Sequence, residues 1–149
     1  MEEELNMKVL ITGASSGIGR DMARILAKLN YNLILVARNE DGLTKIKNEL
    51  EIENNKINIT IYPMDLNIKE NCYKLYENEK NIDVLINNAG FGLFGEFAET
   101  DLEKEITMIN TNITAVHILT KLYLKDMIKK DKGNILNVAS IAGFMPGPL

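Results

Sequence analysis

The sequence has 149 residues, 17 Lys and Arg against 21 Asp and Glu for a formal charge of −4, and 46% hydrophobic side chains. That suits one globular domain with a sizeable core, and an acidic balance with scattered lysines argues against a nucleic-acid surface. One cysteine (Cys72), one histidine (His117), no long apolar run and an acidic start at Met1-Glu2-Glu3-Glu4 argue against a disulfide framework, a metal site, a membrane span and a leader, so a cytoplasmic protein is expected.

Met7–Ile11 reads as a buried strand, a short apolar run of β-formers followed by Thr12-Gly13. Ile18, Met22, Ile25, Leu26 and Leu29 then recur as a helical stripe, and Asn30 fits the helix end. Leu33–Ala37 is a second continuous strand, and Glu40–Leu50 carries Leu43, Ile46 and Leu50 at helical spacing. A third strand is expected at Ile57–Tyr62, stopped by Pro63, then a weaker helix around Ile68–Tyr76 and a fourth strand at Ile82–Ile86. Asn87–Glu99 is a loop of glycines and phenylalanines.

Thr100-Asp101-Leu102-Glu103 has the pattern of a capping box. It opens a long helix, from about 102 to 130, with Ile106, Ile109, Ile113, Val116, Leu119 and Met127 on its apolar side. Gly133 ends it, and Ile135–Ala139 is the fifth strand. Strands that alternate with helices and are apolar throughout imply an α/β fold, a parallel sheet covered on both faces. Right-handed crossovers make it a doubly wound sheet of the Rossmann type. No repeat or linker divides the chain, so residues 1–149 read as one nucleotide-binding domain. Such a sheet normally has about six strands, and only a loop follows the fifth, so a C-terminally truncated domain is expected.

Thr12-Gly13-Ala14-Ser15-Ser16-Gly17-Ile18-Gly19 joins the first strand to the first helix. A strand turning sharply into a helix can present free N–H groups to a pyrophosphate. Gly13 permits the turn, Gly17 lets a phosphate approach without meeting a Cβ, and Gly19 lets the helix pack closely. Ser15 and Ser16 add hydroxyl donors. The spacing is neither G-x-G-x-x-G nor a Walker loop, and a plain tight turn is the alternative. At the tip of the second strand stands Arg38, where an NAD enzyme usually has a carboxylate for the ribose. A guanidinium suits a 2′-phosphate, which favours NADP(H) over NAD(H). Arg20 could add to that grip or be a surface helix residue.

With these residues the chain resembles the short-chain dehydrogenase/reductase family. TGASSGIG at Thr12–Gly19 matches the family's cofactor loop, and Asn87-Asn88-Ala89-Gly90 matches its NNAG motif. Asp65 stands where the family contacts the adenine, Asn112 matches its helix asparagine, and Ser140 matches its catalytic serine. The resemblance thus implies a cofactor site of Thr12, Gly13, Ser15, Ser16, Gly17, Ile18, Gly19, Arg38, Asp65, Asn88, Ala89 and Gly90, with Asn112 and Ser140 catalytic and no metal. It implies an NADP(H)-dependent oxidoreductase acting on a carbonyl or alcohol, in which Ser140 holds the substrate oxygen and Asn112 a relay water. It also implies a homo-oligomer through the helix at 102–130.

The family's Tyr-x-x-x-Lys pair lies about a dozen residues beyond the serine, whereas nine residues follow Ser140. The pair is therefore expected past Leu149, and these residues alone to be inactive. The string Tyr76-Glu77-Asn78-Glu79-Lys80 belongs to an outer helix and reads as chance. His117 and Cys72 read as ordinary helix residues, and Phe91, Leu93, Phe94 and Phe97 either line a substrate or partner surface or pack the loop. The alternatives are a non-catalytic nucleotide-binding or scaffold protein and, less favoured without an acid at the strand tip, a Rossmann methyltransferase.

Overall fold

The computed structural model describes residues 7–144. Five parallel strands, β1 (Lys8–Thr12), β2 (Asn32–Ala37), β3 (Ile59–Pro63), β4 (Val84–Asn87) and β5 (Asn134–Asn137), form one sheet in the order β3-β2-β1-β4-β5. β1 is the centre, with Leu10 in register between Ile34 of β2 and Leu85 of β4. Successive β1 residues point to opposite faces, and both faces are covered. Val9 and Ile11 enter one core with α1 (Gly17–Lys28) and α2 (Glu40–Glu53). Leu10 enters the other with α3 (Lys69–Asn78) and α5 (Ala115–Lys130). All three are fully buried, each worth about 1.5–3 kcal/mol over exposure.

The face that α1 buries differs from the stripe read in its sequence. Gly19, Ala23 and Ala27 face the sheet, with Met22 and Leu26 beside them, while Ile18, Ile25 and Leu29 are each about three-fifths exposed. Close approach decides this: a Cβ on Gly19 would lie 2.4 Å from the Gly13 carbonyl oxygen, so the helix lies near the loop only on its small residues. Asn30 ends α1 in the left-handed region at φ 64°, a conformation asparagine tolerates. Pro63 does not stop β3 from outside but closes it, paired with Ala37. A proline at the end of an edge strand removes little from the ladder.

The long helix has a joint. α4 (Leu102–Ile109) runs through a π turn (Asn110–Thr114) into α5. The N-cap is Asp101, whose Oδ1 accepts from Lys104 N at 2.9 Å, rather than Thr100, whose hydroxyl donates to the Glu105 carboxylate. A carboxylate there also meets the positive end of the helix dipole. Ala115, Leu119, Tyr123 and Met127 form the buried face of α5, but Ile106 and Ile109 are 44% exposed and Ile113 62%. A π turn inserts one extra residue, rotating what precedes it by about 100°. That rotation separates the apolar residues of α4 from the buried face of α5. No helix among the described residues is long and apolar enough to cross a membrane.

Candidate functional site

Strand order reverses between β1 and β4, and in open α/β sheets the crevice at such a reversal, beyond the carboxyl ends of the strands, takes the ligand. A cleft of about 1370 Å³ opens there. Of the residues singled out in the sequence, Gly13, Ser15, Ser16, Ile18, Arg38, Asp65, Asn88, Ala89, Gly90, Asn112 and Ser140 line it. Thr12, Gly17 and Gly19 do not.

Each of those three shapes the loop instead. Thr12 is buried, and its Oγ1 accepts from Asn88 N and Ala89 N, both at 3.0 Å, while its hydroxyl donates to the Ile86 carbonyl at 3.3 Å. It fastens the end of β1 to the loop after β4. The Asn88 amide reinforces the link, its Nδ2 donating to the carbonyls of Thr12 (3.0 Å) and Gly13 (3.2 Å). Gly13 and Gly17 stand at φ 68° and 54°, where an L side chain is strained. A Cβ on Gly13 would reach Ala89 Cα at 2.9 Å, whereas one on Gly17 would meet nothing within 4 Å. That open space lies at the start of α1.

The residues present there fit an anionic dinucleotide. Ser16, the N-cap of α1, makes no side-chain cap bond, and no acidic residue sits in the first turn. Both α2 and α4 do carry acids in their first turns. The free N–H groups of α1 and the Ser16 hydroxyl are therefore available to a phosphate. Arg38 follows β2, exposed, with its guanidinium carbon 5.9 Å from the centroid of the Phe91 ring. Among the described residues it makes no ion pair. Arg20 bonds Asp21 at 3.2 Å and does not line the cleft, so it stays on the helix surface. Asp65, in the loop after β3, accepts from Asn67 N at 3.0 Å and keeps its other carboxylate oxygen free of recorded partners among the described residues.

At the far end stand Asn112 and Ser140. Asn112 lies in the π turn, and its side chain grips the main chain of Phe91 twice. Its Oδ1 accepts from Phe91 N at 3.1 Å and its Nδ2 donates to Phe91 O at 2.8 Å. Those two bonds make it a clamp on the loop after β4. Ser140 caps a short 3₁₀ turn (Ile141–Gly143) by accepting from Ala142 N at 3.1 Å. That bond occupies an oxygen lone pair and leaves the hydroxyl proton for an acceptor in the cleft.

A polar trio beneath them was not singled out in the sequence. Asn87 Nδ2 donates to Thr120 Oγ1 (3.0 Å) and to Asn137 Oδ1 (2.8 Å), tying β4 to α5 and β5 just before Ser140. Its own Oδ1 is buried with no partner. The doubled asparagine in NNAG was the available signal, since a polar residue at the end of an otherwise apolar central strand needs partners.

Tyr76 and Lys80 lie away from the cleft. Tyr76 Oη donates to Asp126 at 2.7 Å, and that bond raises its pKa, opposite to what a proton shuttle needs. His117 is an exposed residue of α5. Cys72 is buried, and burial pushes its thiol up to about 11. Phe91 and Leu93 line the cleft, while Phe94 and Phe97 are 77% and 85% exposed. Among the described residues no group of His, Cys, Asp and Glu could hold a metal ion.

Residues 7–149 match the short chain dehydrogenase family. The chain belongs to the short-chain dehydrogenase/reductase family. It is 39% identical over 142 residues to 3-oxoacyl-(acyl-carrier-protein) reductase FabG of Rickettsia prowazekii, covering 93% of this chain and 56% of that protein. It is 38% identical over 143 residues to an NADP-dependent 3-hydroxy acid dehydrogenase of Schizosaccharomyces pombe, covering 91% and 54%. The fold superposes with a TM-score of 0.89 on a short-chain dehydrogenase from Sphingobium yanoikuyae in complex with NADPH, at 31% identity over 94% of this chain and 56% of that one. The chain thus spans about half the length of the family members it matches, and it corresponds to their N-terminal portion.

Proposed function

We propose that the protein is an NADP(H)-dependent oxidoreductase of this family, acting on a small carbonyl or alcohol. The observation that carries this is the joining of the Gly13–Gly19 loop, Arg38 and Ser140 in one cleft at the strand-order reversal. When bound, NADP(H) supplies or accepts the hydride. The start of α1 and Ser16 hold the pyrophosphate, Arg38 the 2′-phosphate, Asp65 the adenine, and Ala89 and Gly90 the adjoining sugar. Ser140 donates a hydrogen bond to the substrate oxygen and positions it, without giving up its proton. Asn112, by clamping the loop at Phe91, fixes the far wall, and its remaining hydrogen-bonding capacity is open to a relay water. The NADP-dependent relative and the NADPH-bound neighbour support this choice of cofactor.

In the same proposal, residues 1–149 are one incomplete domain and do not turn over alone. No Tyr-x-x-x-Lys follows Ser140 in them, and proton transfer to the substrate needs a donor tuned toward neutral pH. The exposed Ile106, Ile109 and Ile113 are the face through which the intact protein forms a homo-oligomer. A reducing cytoplasm suits the free, buried Cys72. The test is stereospecific NADPH oxidation by the intact gene product against a panel of ketones and aldehydes. Turnover with NADPH supports the proposal, while cofactor binding without turnover on any substrate favours a nucleotide-binding or scaffold role.

A further inference from the structure

Arg38 and Phe91 approach the cleft from opposite sides of the strand-order reversal, one from the end of β2 and one from the loop after β4. Their separation of 5.9 Å between guanidinium carbon and ring centroid is within cation–π reach. An arginine on an exposed strand tip has a long stem with many rotamers, most of them aimed at solvent. An aromatic ring across the cleft selects those that keep the guanidinium over it. The main chain that carries the ring is itself held in place. The Asn112 amide binds both the N–H and the C=O of Phe91, at 3.1 and 2.8 Å. Gly90 permits this fit, since a Cβ there would come within 3.1 Å of Asn112 Oδ1.

We propose that Phe91 is a positioning residue for cofactor choice, holding the Arg38 guanidinium over the cleft where it meets the 2′-phosphate. This rests on the assignment of Arg38 to that phosphate. Because Phe91 acts through Arg38, its effect is confined to ligands that carry the phosphate. Asn112, at the catalytic end, then also supports the selectivity of the adenosine end, through the backbone of Phe91.

A double-mutant cycle on the intact gene product tests this, with binding of NADPH, NADH and adenosine 2′,5′-bisphosphate read by calorimetry, so that no turnover is needed. Phe91→Leu is expected to weaken NADPH and the bisphosphate roughly two- to fivefold and to leave NADH unchanged. Phe91→Tyr keeps the wild-type preference. In an Arg38→Ala background, Phe91→Leu has no further effect. Equal losses for NADPH and NADH, or a loss that persists without Arg38, would show that the ring merely packs the cleft and overturn the proposal. If Arg38→Ala alone leaves the NADPH-to-NADH ratio unchanged, the 2′-phosphate assignment falls and takes this proposal with it. If Arg38→Ala abolishes the ratio and Phe91→Leu spares it, only the role of Phe91 falls. Thermal melts without ligand identify a variant that does not fold, for which Phe91→Met is substituted.

Discussion

Two glycines of the same loop should fail in opposite ways when a methyl group is added. At Gly17 the added Cβ meets no atom within 4 Å, so the only cost to the ligand-free fold is a left-handed backbone at φ 54°. For an alanine that cost is about 1–2 kcal/mol, or a fall in melting temperature of roughly 2–8 °C for a domain of this size. The methyl group nevertheless projects into the open space before α1, where the pyrophosphate is assigned. At Gly19 the Cβ would lie 2.4 Å from the Gly13 carbonyl oxygen and 2.5 Å from Asn88 Nδ2. Neither atom can retreat, because Asn88 holds the Gly13 carbonyl at 3.2 Å and α1 rests on the sheet through this residue. Gly19→Ala should therefore cost about 1–3 kcal/mol by overpacking and displace the helix. Melting curves and fluorescence titration with NADPH separate the two. Gly17→Ala should lose no more than those few degrees yet bind at least tenfold more weakly, and Gly17→Val should bind more weakly still. Gly19→Ala should lose stability first. Normal NADPH affinity in both Gly17 variants would show that the loop is only a turn.

Arg38→Asp replaces a charged hydrogen-bond donor worth about 1.5–3 kcal/mol with a repelling carboxylate, so NADPH affinity should fall about tenfold or more while NADH is spared or improved; equal losses in parallel titrations would contradict the assignment. Ile109→Glu places a charge on an exposed apolar face and should shift the intact protein toward smaller species in sedimentation velocity. Cys72, buried and with its thiol raised to about 11, should resist alkylation at pH 8 until the protein is unfolded, as mass spectrometry would report. Purified residues 1–149 should bind NADPH weakly at most and reduce no carbonyl, and turnover at enzyme-like rates would refute the need for a later proton donor.

The apolar runs of β1 and β2 were legible because a strand buried on both faces leaves no room for polar residues, and their bounds moved by only one residue. The helices were legible as elements but not as faces. In α1 only Met22 and Leu26 of the apolar stripe pack against the core, while Ile18, Ile25 and Leu29 are exposed, because the contact there is set by the closeness of the Gly13–Gly19 loop rather than by hydrophobicity. In the long helix, one extra residue in the π turn rotated Ile106, Ile109 and Ile113 off the buried face, and no periodicity count reveals such an insertion in advance. At the site, the lining of the cleft by Arg38, Asp65, Asn112 and Ser140 follows from their places at strand ends and in the π turn. Thr12, named with the rest of the TGASSGIG loop, does not line the cleft, and its buried hydroxyl bonds Asn88, Ala89 and Ile86. Phe91 was legible as a lining or loop-packing aromatic but not as the neighbour of Arg38, which is distant in the chain.

Burial runs down across the sheet from its centre. In β1, Val9, Leu10 and Ile11 are fully buried, whereas in β5 Leu136 is 46% exposed and only Ile135 joins a core, as a half-buried neighbour. The end of the cleft at the Gly13–Gly19 loop is built on the first of these strands and the loops that Thr12 and Asn88 stitch to it. The Ser140 end depends on β5 and on the trio of Asn87, Thr120 and Asn137. β5 has no fully buried apolar residue, whereas β1 has three, so this corner is held less firmly than the Gly13–Gly19 loop. Local opening follows exactly such differences in buried contact. Amide exchange should therefore be slow at Leu10 and Ile11 and faster at Leu136 and Val138, and binding at the phosphate loop should protect the first pair little because it is already closed. The two ends of the cleft thus differ in burial: the Gly13–Gly19 loop stands on β1 with its fully buried Val9, Leu10 and Ile11, and Ser140 follows the more exposed β5.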